Sequence, residues 1–283
     1  MNGAPDTDQA FAGAIPRIYD QYLVPLIFEP YAVDLAARLA QLPLTTVLEL
    51  AAGTGAVTRR LALALPATVA ITATDLNQPM LDQAAATGTS RPVSWRQADA
   101  LELPFRDASF DAVVCQFGVM FFPDKARGFA EARRVLKPGG VFIFNVWDRI
   151  EVNDFALCAT DALAELFLDD PPRFMARVPH GYHEGEQIKR DLTAGGFRLP
   201  AAIETVTACS RAASAHIVSV AYCQGTPLRN EIEARAPAQR DAVTARVESA
   251  LIGKFGNAAI EGQIRALVVM VFKDAESGRL PLV

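Results

Sequence analysis

The stretch Thr46-Val47-Leu48-Glu49-Leu50-Ala51-Ala52-Gly53-Thr54-Gly55 puts an apolar strand, a carboxylate and a glycine turn in immediate succession. A strand that runs into glycines and then a helix gathers backbone N–H groups and the positive end of the helix at one point, which is how nucleotide sites begin. A second apolar run, Val69-Ala70-Ile71-Thr72-Ala73-Thr74-Asp75, ends in another acid. That acid lies about 20 residues past the turn, where a carboxylate can accept both hydroxyls of a ribose. The two runs commit this part of the chain to strand, helix, strand, the unit of a parallel sheet.

The turn also discriminates between nucleotides. A dinucleotide fingerprint reads G-x-G-x-x-G, whereas Gly53 and Gly55 are followed by Ala56, Val57 and Thr58, without the third glycine. A pyrophosphate on this turn would also meet the Glu49 carboxylate, a repulsion of several kcal/mol in low dielectric. S-adenosylmethionine carries an ammonium and a sulfonium and no phosphate, so the same acid attracts it. An NAD(P)-dependent dehydrogenase is therefore the weaker reading.

The alternation continues downstream. Val57–Leu65 reads as a helix stopped by Pro66, and Pro79 opens a second helix through Ala86. Strands follow at Val93–Gln97 and Phe110–Phe117, then a helix from Lys125 to Leu136, the stop Lys137-Pro138-Gly139-Gly140 and the strand Val141–Trp147. Before the first strand, apolar residues from Ile18 to Leu39 mark helix, and Pro25 and Pro30 are expected to break it into short pieces and a final helix. Past Asp148 the alternation gives way to helical stretches near Asp154–Leu168, Gly185–Ala194 and Ser214–Ile252, with strands near Ile203–Cys209 and Leu267–Phe272. The expected architecture is α/β: a doubly wound, mostly parallel sheet of about seven strands, one edge strand antiparallel, with helical lid inserts after the fifth and sixth strands. Residues 1–42 form an N-terminal helical cap, residues 43–150 the cofactor-binding core, and residues 151–283 the inserts and last two strands of the same domain.

Composition excludes other classes. The net charge is −5 and the lysines are few, which disfavours a nucleic-acid partner. The longest apolar runs, such as Ala266–Phe272, fall short of the roughly 20 residues that span a bilayer. Met1–Asp6 lacks the basic start and apolar core of a signal peptide, and Cys115, Cys158, Cys209 and Cys223 form no C-x-x-C pair. A cytoplasmic protein without a disulfide framework or metal site is expected.

Five ordered segments resemble the class I S-adenosylmethionine-dependent methyltransferases, in particular the ubiquinone and menaquinone biosynthesis branch. They are Val47–Gly55, Asp75–Leu81, Ala98–Phe105, Ser109–Val113 and Arg134–Gly140, and the match covers Val47 to Trp147. The resemblance implies a Rossmann-like fold and cofactor roles for named residues. Glu49 would lie near the methionine ammonium, and Ala51, Gly53, Thr54 and Gly55 would pass under the methionine and ribose. Asp75 would accept the ribose hydroxyls, Leu76 and Met80 would pack on the adenine, and Asp99 with the Ala100 backbone would read its amino group. Gln116 and Phe117 would line the methionyl end, and Tyr19 and Tyr22 lie in a segment that folds over the cofactor in this family. The family has glycine where this chain has Ala51, so a slightly altered loop is expected there; a cofactor-binding regulatory protein without turnover is the alternative that this departure keeps open.

The implied reaction is methyl transfer to an O, C or N atom of a small-molecule acceptor, the expected partner, with a homodimer as the assembly to consider. Met120, Phe121 and Phe122 are candidates for an apolar acceptor wall. His180, Tyr182 and His183 are the candidates for a general base, although a plain solvated loop is the simpler reading of His180-Gly181-Tyr182-His183-Glu184, and a metal site there is disfavoured because a glycine loop does not fix two imidazoles on one face.

Overall fold

The computed structural model describes residues 6–9, 11 and 13–275. Its strands are β1 (Thr46–Leu50), β2 (Ala70–Asp75), β3 (Ser94–Gln97), β4 (Phe110–Gln116), β5 (Leu136–Trp147), β6 (Ala202–Ala212) and β7 (Ile260–Phe272). They form one sheet in the order β3-β2-β1-β4-β5-β7-β6. The first five are parallel, and β7 runs antiparallel to both β5 and β6. The antiparallel strand is therefore one position in from the edge, not at the edge as expected. Side-chain character explains the exchange. From Ala266 to Val271 strand β7 is almost wholly apolar and mostly buried, as an interior strand must be, whereas β6 carries Glu204, Thr207 and Arg211 and tolerates the edge. β7 also starts earlier than its apolar run, because Ile260, Gly262 and Ile264 alternate with Glu261, Gln263 and Arg265 in the pattern of a half-buried strand.

The pleat sends alternate residues to opposite faces. Val47, Ile71, Ala112, Val114 and Ile143 face one layer, covered by α2 (Glu29–Leu39) and α3 (Ala56–Ala64) through Leu35, Leu39, Val57 and Leu61. Leu48, Leu50, Val113, Cys115, Phe142 and Phe144 face the other, covered by α5 (Lys125–Val135). Helix α4 (Gln78–Thr87) packs by β2 and β3.

The N-terminal segment is not broken at its prolines. A first turn α1 (Ile15–Ile18) continues through a π-helical stretch, Tyr19–Phe28, directly into α2. Pro30 occupies the first turn of α2, where no backbone donor is needed, and Pro25 sits exposed within the wider π-helical winding.

After β5 come α6 (Asp154–Leu166), α7 (Phe174–Arg177) and α8 (Gly185–Ala194), and between β6 and β7 come α9 (Ala215–Gln224), α10 (Leu228–Arg235) and α11 (Arg240–Phe255). α6, α9, α10 and α11 pack on one another above the carboxyl ends of the strands, with α9 against the π-helical stretch. α8 instead lies beside α5 on the sheet face, and Gly195 at its end fits directly against Phe129. Among the described residues no helix is long and apolar enough to cross a membrane.

Phe129 of α5 is completely buried and stacks on Phe144 of β5 at 5.4 Å between ring centroids. Phe129→Ala is expected to lower the unfolding free energy by about 3–5 kcal/mol in urea titration, the range for a deleted buried ring. A loss below about 1 kcal/mol would show that α5 is not anchored through this ring.

Candidate cofactor and acceptor site

The site lies where β1, β2 and β4 end. The turn after β1 is held by the Asp75 carboxylate at the end of β2. Its Oδ2 accepts the N–H of Gly53 at 2.8 Å, and its Oδ1 accepts the N–H of Asn77 at 2.8 Å. The Ala52 N–H also donates to the Thr74 carbonyl at 2.9 Å. Gly53 and Gly55 have φ of +56° and +83°, and Gly55 opens α3. Burial raises the proton affinity of Asp75, and the hydrogen bonds from Asn77 and Gly53 work against that shift.

An open cleft lies over these strand ends. Ala51, Gly53, Asp75, Leu76 and Met80 form its floor, Asp99 and Ala100 one end, and Gln116 and Phe117 the other. Tyr19 closes it from above together with Gln9 and Phe11. The Gln116 Oε1 is buried in this wall without a protein partner.

Glu49, Thr54, Gly55 and Tyr22 are not on the cleft wall. Glu49 shares the parity of Val47, so its side chain points under α3, where it is 1% exposed and accepts the Thr58 hydroxyl at 2.6 Å. Burial is the main cause that pushes its carboxyl up to about 8. Thr54 is enclosed beneath the turn, Gly55 packs against Trp95 and Ala84, and Tyr22 packs on the large core.

Ala51 takes φ +49°, a conformation natural to glycine. Its methyl group is accommodated because residue 118 is glycine: a Cβ on Gly118 would lie 2.5 Å from the Ala51 Cβ. Phe117 also has a positive φ, +49°. Its N–H donates to the Asn145 Oδ1 at 2.8 Å and its ring stacks on Trp147 at 3.8 Å and 7°. These contacts hold a backbone geometry that a bulky residue rarely adopts.

A second, smaller hollow adjoins the cleft, and Phe11, Tyr19, Phe117 and Phe121 line both. Its remaining walls come from Leu23, Ile27 and Phe28 of the π-helical stretch, from Trp147, and from Phe174, Met175, Pro179, Tyr222, Thr226 and Pro227 of the inserts. Of the expected apolar wall, Phe121 and Phe122 line the cleft and Met120 is buried outside both spaces.

The histidine loop is tied into the fold by His180 and Tyr182 and turns away from the cleft. His180 is 4% exposed and its Nδ1–H donates to the Asp148 carbonyl at 2.8 Å; burial lowers its pKa to about 4, so the ring is neutral. The His183 Nδ1–H donates to the His180 carbonyl at 2.8 Å, and the Tyr182 hydroxyl donates to Asp191 at 2.7 Å. None of the three lines the cleft or the hollow. They pack the loop beneath Trp147 and α8. Among the described residues no group of three or more His, Cys, Asp or Glu could hold a metal ion.

Sequence reasoning missed Asn145, Trp147, Gly118 and Tyr222. Asn145 carried a signal, as the lone polar residue in the run Val141–Trp147. Tyr222 carried none, since it reads as one more core residue of an apolar helix.

The family profile described as Methyltransferase domain matches residues 48–144. The chain is 37% identical over 111 residues to the ubiquinone/menaquinone biosynthesis C-methyltransferase of Brucella anthropi, covering 38% of this chain and 42% of that one. It is 32% identical over 169 residues to the demethylmenaquinone methyltransferase of Corynebacterium urealyticum, covering 56% and 70%. The chain spans less than half the length of several of the curated relatives it matches. Among solved structures, the phosphoethanolamine N-methyltransferase 2 of Haemonchus contortus, in complex with S-adenosyl-L-methionine, superposes with a TM-score of 0.56 at 18% identity over 92% of this chain and 56% of that one. The shared fold is that of Rossmann-like methyltransferases.

Two expectations follow from the geometry. Ala51→Gly is expected to stabilise the protein by about 0.5–1 kcal/mol in urea titration, because the relief of a left-handed alanine exceeds the entropy gained by the unfolded glycine chain; an equal or lower stability would mean that the alanine is unstrained. Glu49 titrates near 8 when folded against 4.5 ordinarily, so its neutral form stabilises the fold fully below about pH 4.5 and this contribution is lost as the pH rises through 8. Glu49→Gln is expected to flatten the fall in stability between about pH 5 and pH 8, read by urea titration at several pH values; an unchanged slope would assign it to other groups.

Proposed function

The chain belongs to the S-adenosylmethionine-dependent methyltransferase family, and we propose that it transfers the methyl group of this cofactor to an uncharged, largely apolar small molecule held in the aromatic hollow. The observation that carries this reading is the junction of two spaces. A cleft that carries the Asp75 carboxylate adjoins a hollow walled by rings, and the two share Tyr19 and Phe117.

The cleft residues suit the cofactor. Asp75 keeps lone pairs for the ribose hydroxyls beyond those taken by Gly53 and Asn77. Met80 and Leu76 offer apolar surface to an adenine, with Asp99 and Ala100 at its edge. Gln116 Oε1, buried and unpaired, is an acceptor suited to an ammonium. Bound S-adenosylmethionine supplies an already activated methyl group on a sulfonium. The chain then contributes alignment and exclusion of water, and proximity of this kind supplies up to about 7–11 kcal/mol.

The hollow contributes no base. The titratable side chains on its wall are Tyr19 and Tyr222, and burial raises both phenol pKa values. The acceptor therefore brings its own nucleophilicity, as a neutral lone pair, an electron-rich carbon or a group that ionises unaided. The mostly carbon-lined walls disfavour carboxylates and phosphates, because among the described residues no cationic side chain lines the hollow to offset their desolvation.

Isothermal calorimetry is expected to show binding of S-adenosylhomocysteine and negligible binding of NAD, and Asp75→Ala is expected to weaken the former by about 1.5–3 kcal/mol, roughly ten- to a hundredfold. An acceptor panel read by S-adenosylhomocysteine production, comparing neutral aromatic compounds with small acids, then tests turnover. Binding without turnover on any acceptor would favour a regulatory binder, and tight NAD binding would sink the cofactor assignment.

A further inference from the structure

The upper wall of the cofactor cleft belongs to a segment that joins no strand. Gln9, Phe11 and Tyr19 supply it. Tyr19 lies close over the turn, since a Cβ built on Gly53 would meet its ring at 3.9 Å and its hydroxyl at 4.0 Å. A ligand in the cleft that Tyr19 and the turn both line leaves most readily when this ring moves away.

The next residue, Asp20, ties the segment down. Its Oδ1 accepts from Arg59 Nη2 at 3.1 Å, and its Oδ2 accepts from Thr87 Oγ1 at 3.0 Å and Gln83 Nε2 at 3.3 Å. The same guanidinium donates through Nη1 to the Thr54 carbonyl, in the glycine turn itself, at 2.7 Å. One carboxylate thus connects the residue beside Tyr19 to the turn and to α4, which carries Met80 on the floor. The two side chains are only 14% and 24% exposed, so salt screens them less than a surface pair, and charge-assisted bonds outweigh neutral ones. Of the other ties of this segment, Asp8 to Arg177 and Gln9 to the Phe121 carbonyl reach α7 and the loop after β4, and the Phe11 N–H reaches Asn77 Oδ1 beside Asp75; the pair Asp20–Arg59 is the charged tie next to Tyr19 that reaches the turn.

We propose that Asp20 and Arg59 are positioning residues that hold Tyr19 closed over the bound cofactor, and that their ion pair sets how long the cofactor stays. The proposal rests on the reading of the cleft as the cofactor site. It makes the pair a kinetic element: opening breaks Asp20–Arg59, while association occurs with the wall already displaced.

Stopped-flow tryptophan fluorescence with S-adenosylhomocysteine tests this, using Trp95 against Gly55 and Trp147 against Phe117 as reporters. Asp20→Asn keeps the shape and removes the charge, and is expected to speed dissociation about tenfold while association changes less than twofold. Asp20→Glu is expected to recover part of the loss. Arg59→Met is expected to speed dissociation similarly, and the double variant to be no faster than the faster single one, since both remove the same tie. Dissociation within twofold of the parent in Asp20→Asn and Arg59→Met overturns the proposal. So does a loss shared equally between association and dissociation without recovery by Asp20→Glu, which marks a structural staple. If the parent binds no S-adenosylhomocysteine, the cofactor reading of the cleft fails first.

Discussion

The Asp75 carboxylate is the contact on which the site depends. It sits where β2 ends, takes the N–H of Gly53 from the turn after β1, and takes the N–H of Asn77 at the start of α4. Asn77 in turn accepts the N–H of Phe11 through its Oδ1 at 3.4 Å, so the upper wall hangs from the same cluster. Three segments distant in sequence are thereby brought to one point by a buried carboxylate, and the hydrogen bonds that shape the turn offset part of the cost that burial imposes on its charged form. A neutral residue here would leave the glycines free to relax, and the floor of the cleft with them.

The methyl-transfer end is built differently, from strain and stacking. Phe117 holds a left-handed backbone at the carboxyl end of β4, pinned by the Asn145 side chain below and the Trp147 ring beside it. Asn145 comes from the layer of alternate residues that face α2, while Trp147 comes from the end of the same strand. The position of one ring between two spaces is thus fixed by β5, a fully packed interior strand, and not by the inserts that enclose the hollow.

Legibility in the sequence followed how local the signal was. The β1 turn, Asp75 and the strand–helix alternation up to Trp147 were readable, because each depends on neighbours within a few residues. Glu49 was identified as a strand-end acid, yet the parity that turns it under α3 depends on which layer covers that face of the sheet. The place of β7 between β5 and β6 followed from comparing two strands far apart in the chain, one almost wholly apolar and one studded with charge. Pro25 misled because a π-helical winding, invisible in composition, absorbed it. The histidines misled because their chemistry suggested a base while packing encloses His180 and turns His183 onto the loop's own backbone, away from the cleft.

Four aromatic residues belong to both spaces, whereas Met175, Tyr222, Thr226 and Pro227 line the hollow alone. Sequence drift among relatives of this chain therefore meets two different tolerances. A change at Phe117 or Tyr19 alters cleft and hollow together and must satisfy both, while a change at Tyr222 or Thr226 is felt in the hollow only. The helices between the sixth and seventh strands are in this sense the adjustable part of a fixed apparatus: if the hollow takes the acceptor as proposed, its range can change there without rebuilding the cleft.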